Sequence, residues 1–182
     1  MSKAVLISIR PKWCEKIING EKTIEIRKTR PKLALPFKCY IYCTLPRYPH
    51  EDFIRTDHPK PQFYGGGKVI GEFVCRGFIP FCKARPCFVM EAPEEIERMA
   101  CLTRREIWKY APEGDPIGWR ISDLLIYDTP RELGELRRAC PNSFCCESCA
   151  MYRENDGTCG NESLQIKRAP QSWCYVEEAA EK

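Results

Sequence analysis

The first apolar run of the chain lies close to its beginning and is followed by a helical pattern. Residues 5–9 form an almost unbroken apolar run, which predicts a strand that ends before Pro11. Apolar residues at 13, 14, 17 and 18 then predict a short amphipathic helix. Pro11 suits the first turn of this helix, and Asn19 and Gly20 suit its end because they tolerate positive φ.

Alternation follows in residues 22–27, where polar and apolar side chains take turns from Thr23 onward. This period of two predicts a strand with Ile24 and Ile26 on one face. Thr23, Glu25 and Arg27 share the opposite face. Two interpretations of that polar face stay open: Glu25 and Arg27 form an ion pair, or Glu25 accepts from a base while Arg27 holds a phosphate.

The rest of the chain alternates strand and helix signals without an internal repeat. Strands are predicted at 37–44, 68–76, 118–127 and 173–176, and helices at 93–99, 103–110 and 129–133. Thr103 and Glu106 have the spacing of a capping box, and residues 46–67 are predicted to form a Pro-containing loop. Many short strands between short helices predict an α+β fold built as a small mixed β-barrel.

Composition narrows the class of protein. The chain has 182 residues with 43% hydrophobic residues, enough for one domain with a core. No run approaches the ~20 apolar residues of a membrane helix, and the apolar start is too short for a secretory leader. We therefore expect a cytoplasmic protein with no membrane contact. In that compartment the 13 cysteines are expected to be reduced thiols or metal ligands, with Cys39, Cys43 and Cys75 simply buried.

Charge is distributed unevenly along the chain. Residues 1–90 hold 17 Lys and Arg against seven Asp and Glu, whereas residues 91–182 hold 12 against 18. A basic half of this kind suits a polyanionic ligand, although a solvated lysine-rich surface gives the same count.

The basic residues cluster around the first helix and the alternating strand. Lys and Arg neutralise phosphates, and aromatic rings such as those of Trp13 and Tyr40 stack on unpaired bases when they are not core residues. The candidate nucleic-acid-binding residues are Arg10, Lys12, Trp13, Lys22, Glu25, Arg27 and Lys28.

Three blocks of this sequence resemble the ASCH (activating signal cointegrator homology) family of PUA-like β-barrels. They are residues 6–13, with Ser8-Ile9-Arg10-Pro11 and Trp13; residues 18–28, with Gly-x-Lys-Thr-x-Glu-x-Arg; and residues 121–128, with Ile-Ser-Asp-Leu-Leu-Ile-Tyr-Asp. The third block is similar to prophage and bacterial members.

The resemblance implies a five- or six-stranded barrel with helices at its ends and a cleft lined by the Gly-x-Lys-Thr-x-Glu-x-Arg strand. It also implies that the ligand is RNA or a modified nucleotide. We divide the chain into a barrel at 1–135, a Cys-rich insert at 136–170 and a closing strand at 171–178.

Catalysis is the main alternative to a binding module. Some similar ASCH proteins are amidohydrolases that act on N4-acetylcytidine with a Lys, a Thr and a Glu. Lys22 matches the Lys, but Glu25 stands where the Thr is expected and Thr23 is the only nearby hydroxyl; the acid is Glu72 or Glu106.

Two further functions stay open. Ribonuclease activity needs a proton acceptor near the ribose, and the chain offers only His50 and His58. A protein-binding adaptor would use the acidic second half, for example around Glu94 and Glu95.

The Cys-rich insert predicts a metal site. Cys146 and Cys149 form a Cys-x2-Cys pair, and Cys140 and Cys159 complete four thiolates for a structural zinc, with Cys145 as a substitute for Cys146. Unliganded thiols, redox pairs and an iron–sulfur cluster are the alternatives. The segment has few large apolar residues, so a metal would stabilise what a core cannot.

Overall fold

A six-stranded mixed sheet is the centre of the fold in the computed structural model, which describes residues 3–48, 50, 54–55, 63–81, 93–138, 140, 149–155 and 159–178. The strands of the described residues are β1 (Lys3–Ile9), β2 (Ile24–Arg27), β3 (Phe37–Cys43), β4 (Ile54–Arg55), β5 (Phe63–Tyr64), β6 (Lys68–Pro80), β7 (Ile117–Arg131) and β8 (Trp173–Glu177). Strands β4 and β5 form a separate two-stranded hairpin.

The large sheet has the order β2-β7-β6-β3-β1-β8. Strands β1 and β3 are parallel, and the other neighbours are antiparallel. The sheet forms a half-barrel accompanied by a few short helices, and this confirms the predicted α+β class. Strand β8 pairs with β1, so the end of the chain returns to the strand with which it began.

Four short helices accompany the sheet among the described residues: α1 (Pro11–Ile18), α2 (Pro93–Ala100), α3 (Arg104–Tyr110) and α4 (Ala150–Arg153). The capping box of α3 is confirmed, since Thr103 accepts from the Glu106 amide and the Glu106 carboxylate accepts from the Thr103 amide. Gly20, just after α1, has a φ of +74° that favours glycine. None of the described helices has both the length and the apolar character needed to cross a membrane.

Three hydrophobic clusters hold the elements together. The largest lies between α1 and strands β1, β3 and β6, and Trp119 at its centre is fully buried, with Phe37 and Phe78 ring centroids 6.0 and 5.9 Å away. A second cluster covers the other face around Tyr40. The third joins β2 to α2 and α3 through side chains that include Ile24 and Ile107. Tyr40 is therefore a core residue and not a stacking platform.

Two parts of the secondary-structure prediction are wrong. Residues 129–133 do not form an α-helix, because Arg131 pairs with Val69 and keeps β7 extended. A 3-10 turn follows the strand at Leu133–Glu135. The predicted loop 46–67 contains the β4–β5 hairpin.

Two segments inside the predicted Cys-rich insert, residues 136–138 and 164–166, meet beside the sheet. The Ile166 amide donates to the Leu136 carbonyl over 3.1 Å, and the Arg138 amide donates to the Leu164 carbonyl over 2.7 Å. Leu136 and Ile166 are buried in the second cluster. Residues 136–138 and 164–166 are therefore held together by backbone hydrogen bonds.

Replacement of Gly71 by alanine tests the close contact between β6 and β7. A Cβ at this position would lie 2.4 Å from the Leu125 carbonyl oxygen and 2.9 Å from the Ile126 side chain. Because backbone cannot move aside as a flexible side chain can, we expect Gly71→Ala to lower the free energy of unfolding by about 2 kcal/mol. Urea denaturation measures the change.

Gly134→Ala is the matched control, since a Cβ there meets nothing within 4 Å. Equal stability of the two variants would contradict the close β6–β7 contact.

Candidate nucleic-acid interface

A cleft of about 640 Å³ opens where the end of β1, α1, β2 and α3 meet the segment before β8. Its volume is in the range of small-molecule sites. Six of the seven candidate nucleic-acid-binding residues line it. Its lining residues are Ser8, Ile9, Arg10, Lys12, Trp13, Lys22, Glu25, Ile26, Arg27, Tyr42, Thr44, Leu45, Leu102, Glu106, Tyr110, Ala169, Pro170 and Gln171.

The floor of the cleft is a buried network of three charges centred on Glu25. Its Oε1 lies 3.1 Å from Arg27 Nη2, and its Oε2 lies 3.4 Å from Lys22 Nζ. The Glu25 and Arg27 residues are each 7% exposed and Lys22 is 2% exposed. Of the two interpretations of the polar strand face, the ion pair of Glu25 and Arg27 is the one present.

Both cations also donate to backbone carbonyls. Lys22 Nζ donates to the Ala100 carbonyl at the end of α2 over 2.6 Å, and Arg27 Nη2 donates to the Ser8 carbonyl of β1 over 2.6 Å. The network therefore ties β2 to α2 on one side and to β1 on the other.

The network is not saturated with hydrogen bonds. Glu25 Oε2 is within ionic range of Lys22 but is not aligned for a hydrogen bond, and Arg27 Nε has no partner among the described residues. Buried polar atoms are normally paired, so this floor retains hydrogen-bonding capacity.

The mouth of the cleft carries exposed cations. Arg10 is the N-cap of α1 and Lys12 lies in its first turn; both are exposed. Neither forms an ion pair within 4.0 Å with a described carboxylate. The Lys12 and Lys22 ammonium groups lie 4.4 and 5.1 Å from the Trp13 ring centroid, so Trp13 joins the mouth to the floor.

Lys28 is the seventh candidate, and it lies at the rim instead of in the lining. Its ammonium is 5.4 Å from the ring centroid of Tyr110, which does line the cleft. Tyr110 is 39% exposed at the end of α3. The sequence did not predict that Tyr110 lines the cleft, because local sequence does not indicate what the last turn of a helix packs against.

Residues 169–171 were also missed by sequence reasoning. The Ser8 hydroxyl donates to the Pro170 carbonyl over 2.6 Å, and the Ser8 amide donates to the Ser172 carbonyl over 2.9 Å. These bonds bring Gln171 to the cleft from the far end of the sequence. No local pattern encodes such a contact.

The candidate catalytic residues are separated. Lys22 and Glu25 meet in the cleft, whereas Glu72 accepts from the Tyr127 hydroxyl over 2.5 Å and pairs with Lys38 at 3.0 Å, outside the cleft lining. Thr23 is also outside the lining, and its amide donates to the Met99 carbonyl.

Glu106 is the acidic candidate that does line the cleft. Hydrogen bonds from the Thr103 amide and hydroxyl lower the pKa of the Glu106 carboxyl, so this group is held as a carboxylate. The resulting negative charge stands beside Lys12, whose ammonium lowers the same pKa further.

The described cysteines are free thiols. Burial, and then its neighbour Cys43, raise the pKa of Cys14 beneath the cleft, so it is an unreactive core thiol. Cys140 and Cys159 are half-buried and Cys149 is exposed, while Cys145 and Cys146 lie outside the described residues. No group of three possible metal ligands occurs among the residues that are described, and the zinc site stays a prediction.

Comparison with solved structures identifies the fold. The chain is similar to the ASCH protein of Zymomonas mobilis, with a TM-score of 0.54, 16% identity, and coverage of 96% of this chain and 88% of that one. A mutant of that protein gives a TM-score of 0.53, 16% identity, and coverage of 97% and 92%. No family model and no curated protein matches the chain. The resemblance to ASCH proteins is thus confirmed in the fold.

The substitution Glu25→Gln tests the buried network. It removes the counterion of two buried cations, and breaking such a pair from one side typically costs ~3 kcal/mol or more. We therefore expect a large loss of stability in urea denaturation at neutral pH.

Glu21→Gln is the control, because Glu21 forms a shorter pair with Lys16, at 2.8 Å, but on the exposed surface. Solvent screens that pair, so its removal should change little. A Glu25→Gln variant as stable as Glu21→Gln would show that the three charges are not interdependent.

Proposed function

We propose that this chain, which has the fold of the ASCH proteins, binds RNA by taking one nucleotide into the cleft. The observation that carries the proposal is the convergence of cations, aromatic rings and hydrogen-bonding groups in one hollow of about 640 Å³. Each of these features has a distinct partner in a nucleotide.

The phosphate is assigned to the mouth of the cleft. Arg10 and Lys12 are exposed and unpaired with described carboxylates, so they lose little when they exchange water for a phosphate oxygen. Their position at the start of α1 places both side chains on the same entrance. Lys22 and Arg27 contribute positive potential from the floor, but their buried donors already have protein partners.

The base is assigned to the interior. Trp13 and Tyr110 supply aromatic faces, and single-stranded bases stack on such rings with ~1–3 kcal/mol for each base. Thr44 and Gln171 offer donors and acceptors for base edges, and Glu25 offers a carboxylate oxygen that has no hydrogen-bond partner among the described residues. A simple polyanion has no base to stack on these rings or to bond with these donors and acceptors. A nucleotide therefore matches the cleft better than a simple acidic ligand.

Removal of the two mouth cations tests the phosphate assignment. For Arg10→Gln with Lys12→Gln we expect weaker binding of single-stranded RNA and a salt dependence, d log K/d log[salt], that is shallower by ~1.4, about 0.7 for each phosphate that the variant no longer neutralises. Fluorescence anisotropy across a salt series measures both quantities.

Lys3→Gln is the control for removal of a charge outside the cleft. Lys3 is exposed at the start of β1, at the opposite end of that strand from the cleft. Binding that falls equally in the control and the double variant would contradict a local phosphate site.

An amidohydrolase acting on a modified nucleoside is the second candidate, and the close approach of Lys22 to Glu25 favours it. Such an enzyme needs a nucleophile within reach of a base, but Thr23 lies outside the cleft lining. Release of acetate from N4-acetylcytidine at catalytic protein levels would favour this candidate over a binding module.

The remaining alternatives have less support in the geometry. For a ribonuclease, His50 is outside the cleft lining, where its ring stacks on Tyr48, and His58 is outside the described residues. For an adaptor, Glu94 and Glu95 are exposed on α2, but Glu95 lies within ionic range of Arg98.

For the insert we propose a structural zinc held by Cys140, Cys146, Cys149 and Cys159, on the support of the Cys-x2-Cys spacing alone. Protein purified without chelator should contain about one zinc per chain, since four thiolates satisfy one tetrahedral ion. Cys149→Ser should lower this content in elemental analysis, whereas Cys101→Ser should not. A wild-type content far below one would refute the site.

A further inference from the structure

A second hollow lies a short distance along the chain from the cleft. It has a volume of about 410 Å³ and is lined by Arg30, Pro31, Lys32, Leu33, Leu35 and Phe78; we call it the outer hollow. Arg30 follows the cleft-lining Arg27 by three residues, and three residues of extended chain span at most ~11 Å. The two hollows are thus close enough for nearby nucleotides of one strand.

The segment that joins them carries an exposed cation at every second position. Lys28, Arg30 and Lys32 are all exposed, and none forms an ion pair within 4.0 Å with a described carboxylate. Elsewhere on the surface an exposed cation can be paired, as Arg76 is with Asp123. The positive charge of this segment is therefore not balanced locally by the described residues, as expected for a surface that meets phosphates.

Strand β8 holds the same segment in place. Trp173 Nε1 donates to the Thr29 hydroxyl over 3.1 Å, and the Lys32 amide donates to the Tyr175 hydroxyl over 2.8 Å. Both contacts fix backbone or side-chain positions along the row of three cations. A fixed row of cations loses less conformational entropy on binding than a flexible one.

The outer hollow combines a cation with an aromatic ring. The Arg30 guanidinium lies 5.4 Å from the Phe78 ring centroid, and Leu35 in the same lining is 44% exposed. Guanidinium planes and aromatic faces are both surfaces on which an unstacked base lies. The composition of the outer hollow is therefore that of a second base site, joined to the cleft by phosphate-binding groups.

We propose that the ligand of this protein is an extended single strand of RNA, which places one nucleotide in the cleft and passes along Lys28, Arg30 and Lys32 to place another in the outer hollow. This inference rests on the proposed function and adds to it the form of the ligand. A duplex does not fit, because its bases are stacked and paired and cannot enter two hollows.

The test compares ligand length in two proteins. Uridine 5′-monophosphate and oligouridylates of two, four and eight nucleotides are titrated against the wild type and against Arg30→Gln with Lys32→Gln. We expect wild-type affinity to rise with length, and the variant to keep the affinity for the monophosphate but lose the gain. Its salt slope for the octamer should be shallower by ~1.4.

Lys3→Gln with Arg138→Gln removes the same charge from two exposed residues that line neither the cleft nor the outer hollow. Lys3 lies opposite Glu177 in the register of β1 and β8. The Glu177 amide donates to the carbonyl of Arg137, the residue before Arg138, so the two control cations are neighbours. This control should retain the length-dependent gain.

The outcomes separate the two proposals. The extended-strand inference is overturned if the affinity of the wild type does not rise with the length of the oligonucleotide. It is also overturned if the affinity of the Arg30 and Lys32 variant rises as much as that of the wild type. Both outcomes leave the cleft proposal intact. A duplex octamer that binds as tightly as the single strand overturns the extended-strand inference as well. If the wild type binds neither the monophosphate nor the octamer, the proposed function itself is wrong.

Discussion

The carboxylate of Glu25 between the buried cations of Lys22 and Arg27 is the interaction on which this structure depends. Charges withdrawn from water need a partner, and here one anion serves two cations that also bond to the carbonyls of Ala100 and Ser8. Through these bonds the two cations, held together by Glu25, fix β2 against α2 and β1. The floor of the cleft keeps its shape because these elements are joined beneath it.

This network divides the basic cluster of the sequence into two roles. Lys22 and Arg27 are almost fully buried and donate to protein groups, so they shape the floor and set its potential. Arg10 and Lys12 are exposed and retain their donors for a ligand. A count of lysines and arginines cannot make this distinction, because burial and pairing decide which cations meet a phosphate.

Local periodicity was enough to predict the features that depend on neighbouring residues. The alternation around Ile24 and Ile26 placed Glu25 and Arg27 on one face, and the spacing of Thr103 and Glu106 predicted the start of α3. The features that were missed depend on distant pairing.

Gln171 reaches the cleft only through the bonds of Ser8 to the segment before β8, and Glu72 is directed to Tyr127 by the register of β6 on β7. The helix predicted at 129–133 is absent for the same reason, because strand pairing overrode local propensity.

Photo-crosslinking of RNA to the folded protein is the most direct measurement of where the ligand lies. A short single strand that contains 4-thiouridine should crosslink to the aromatic residues of the cleft, Trp13 and Tyr110, and mass spectrometry of the digested adduct should locate them. Crosslinks concentrated on the acidic helix α2, around Glu94 and Glu95, with none in the cleft, would contradict a nucleotide site between α1 and β2.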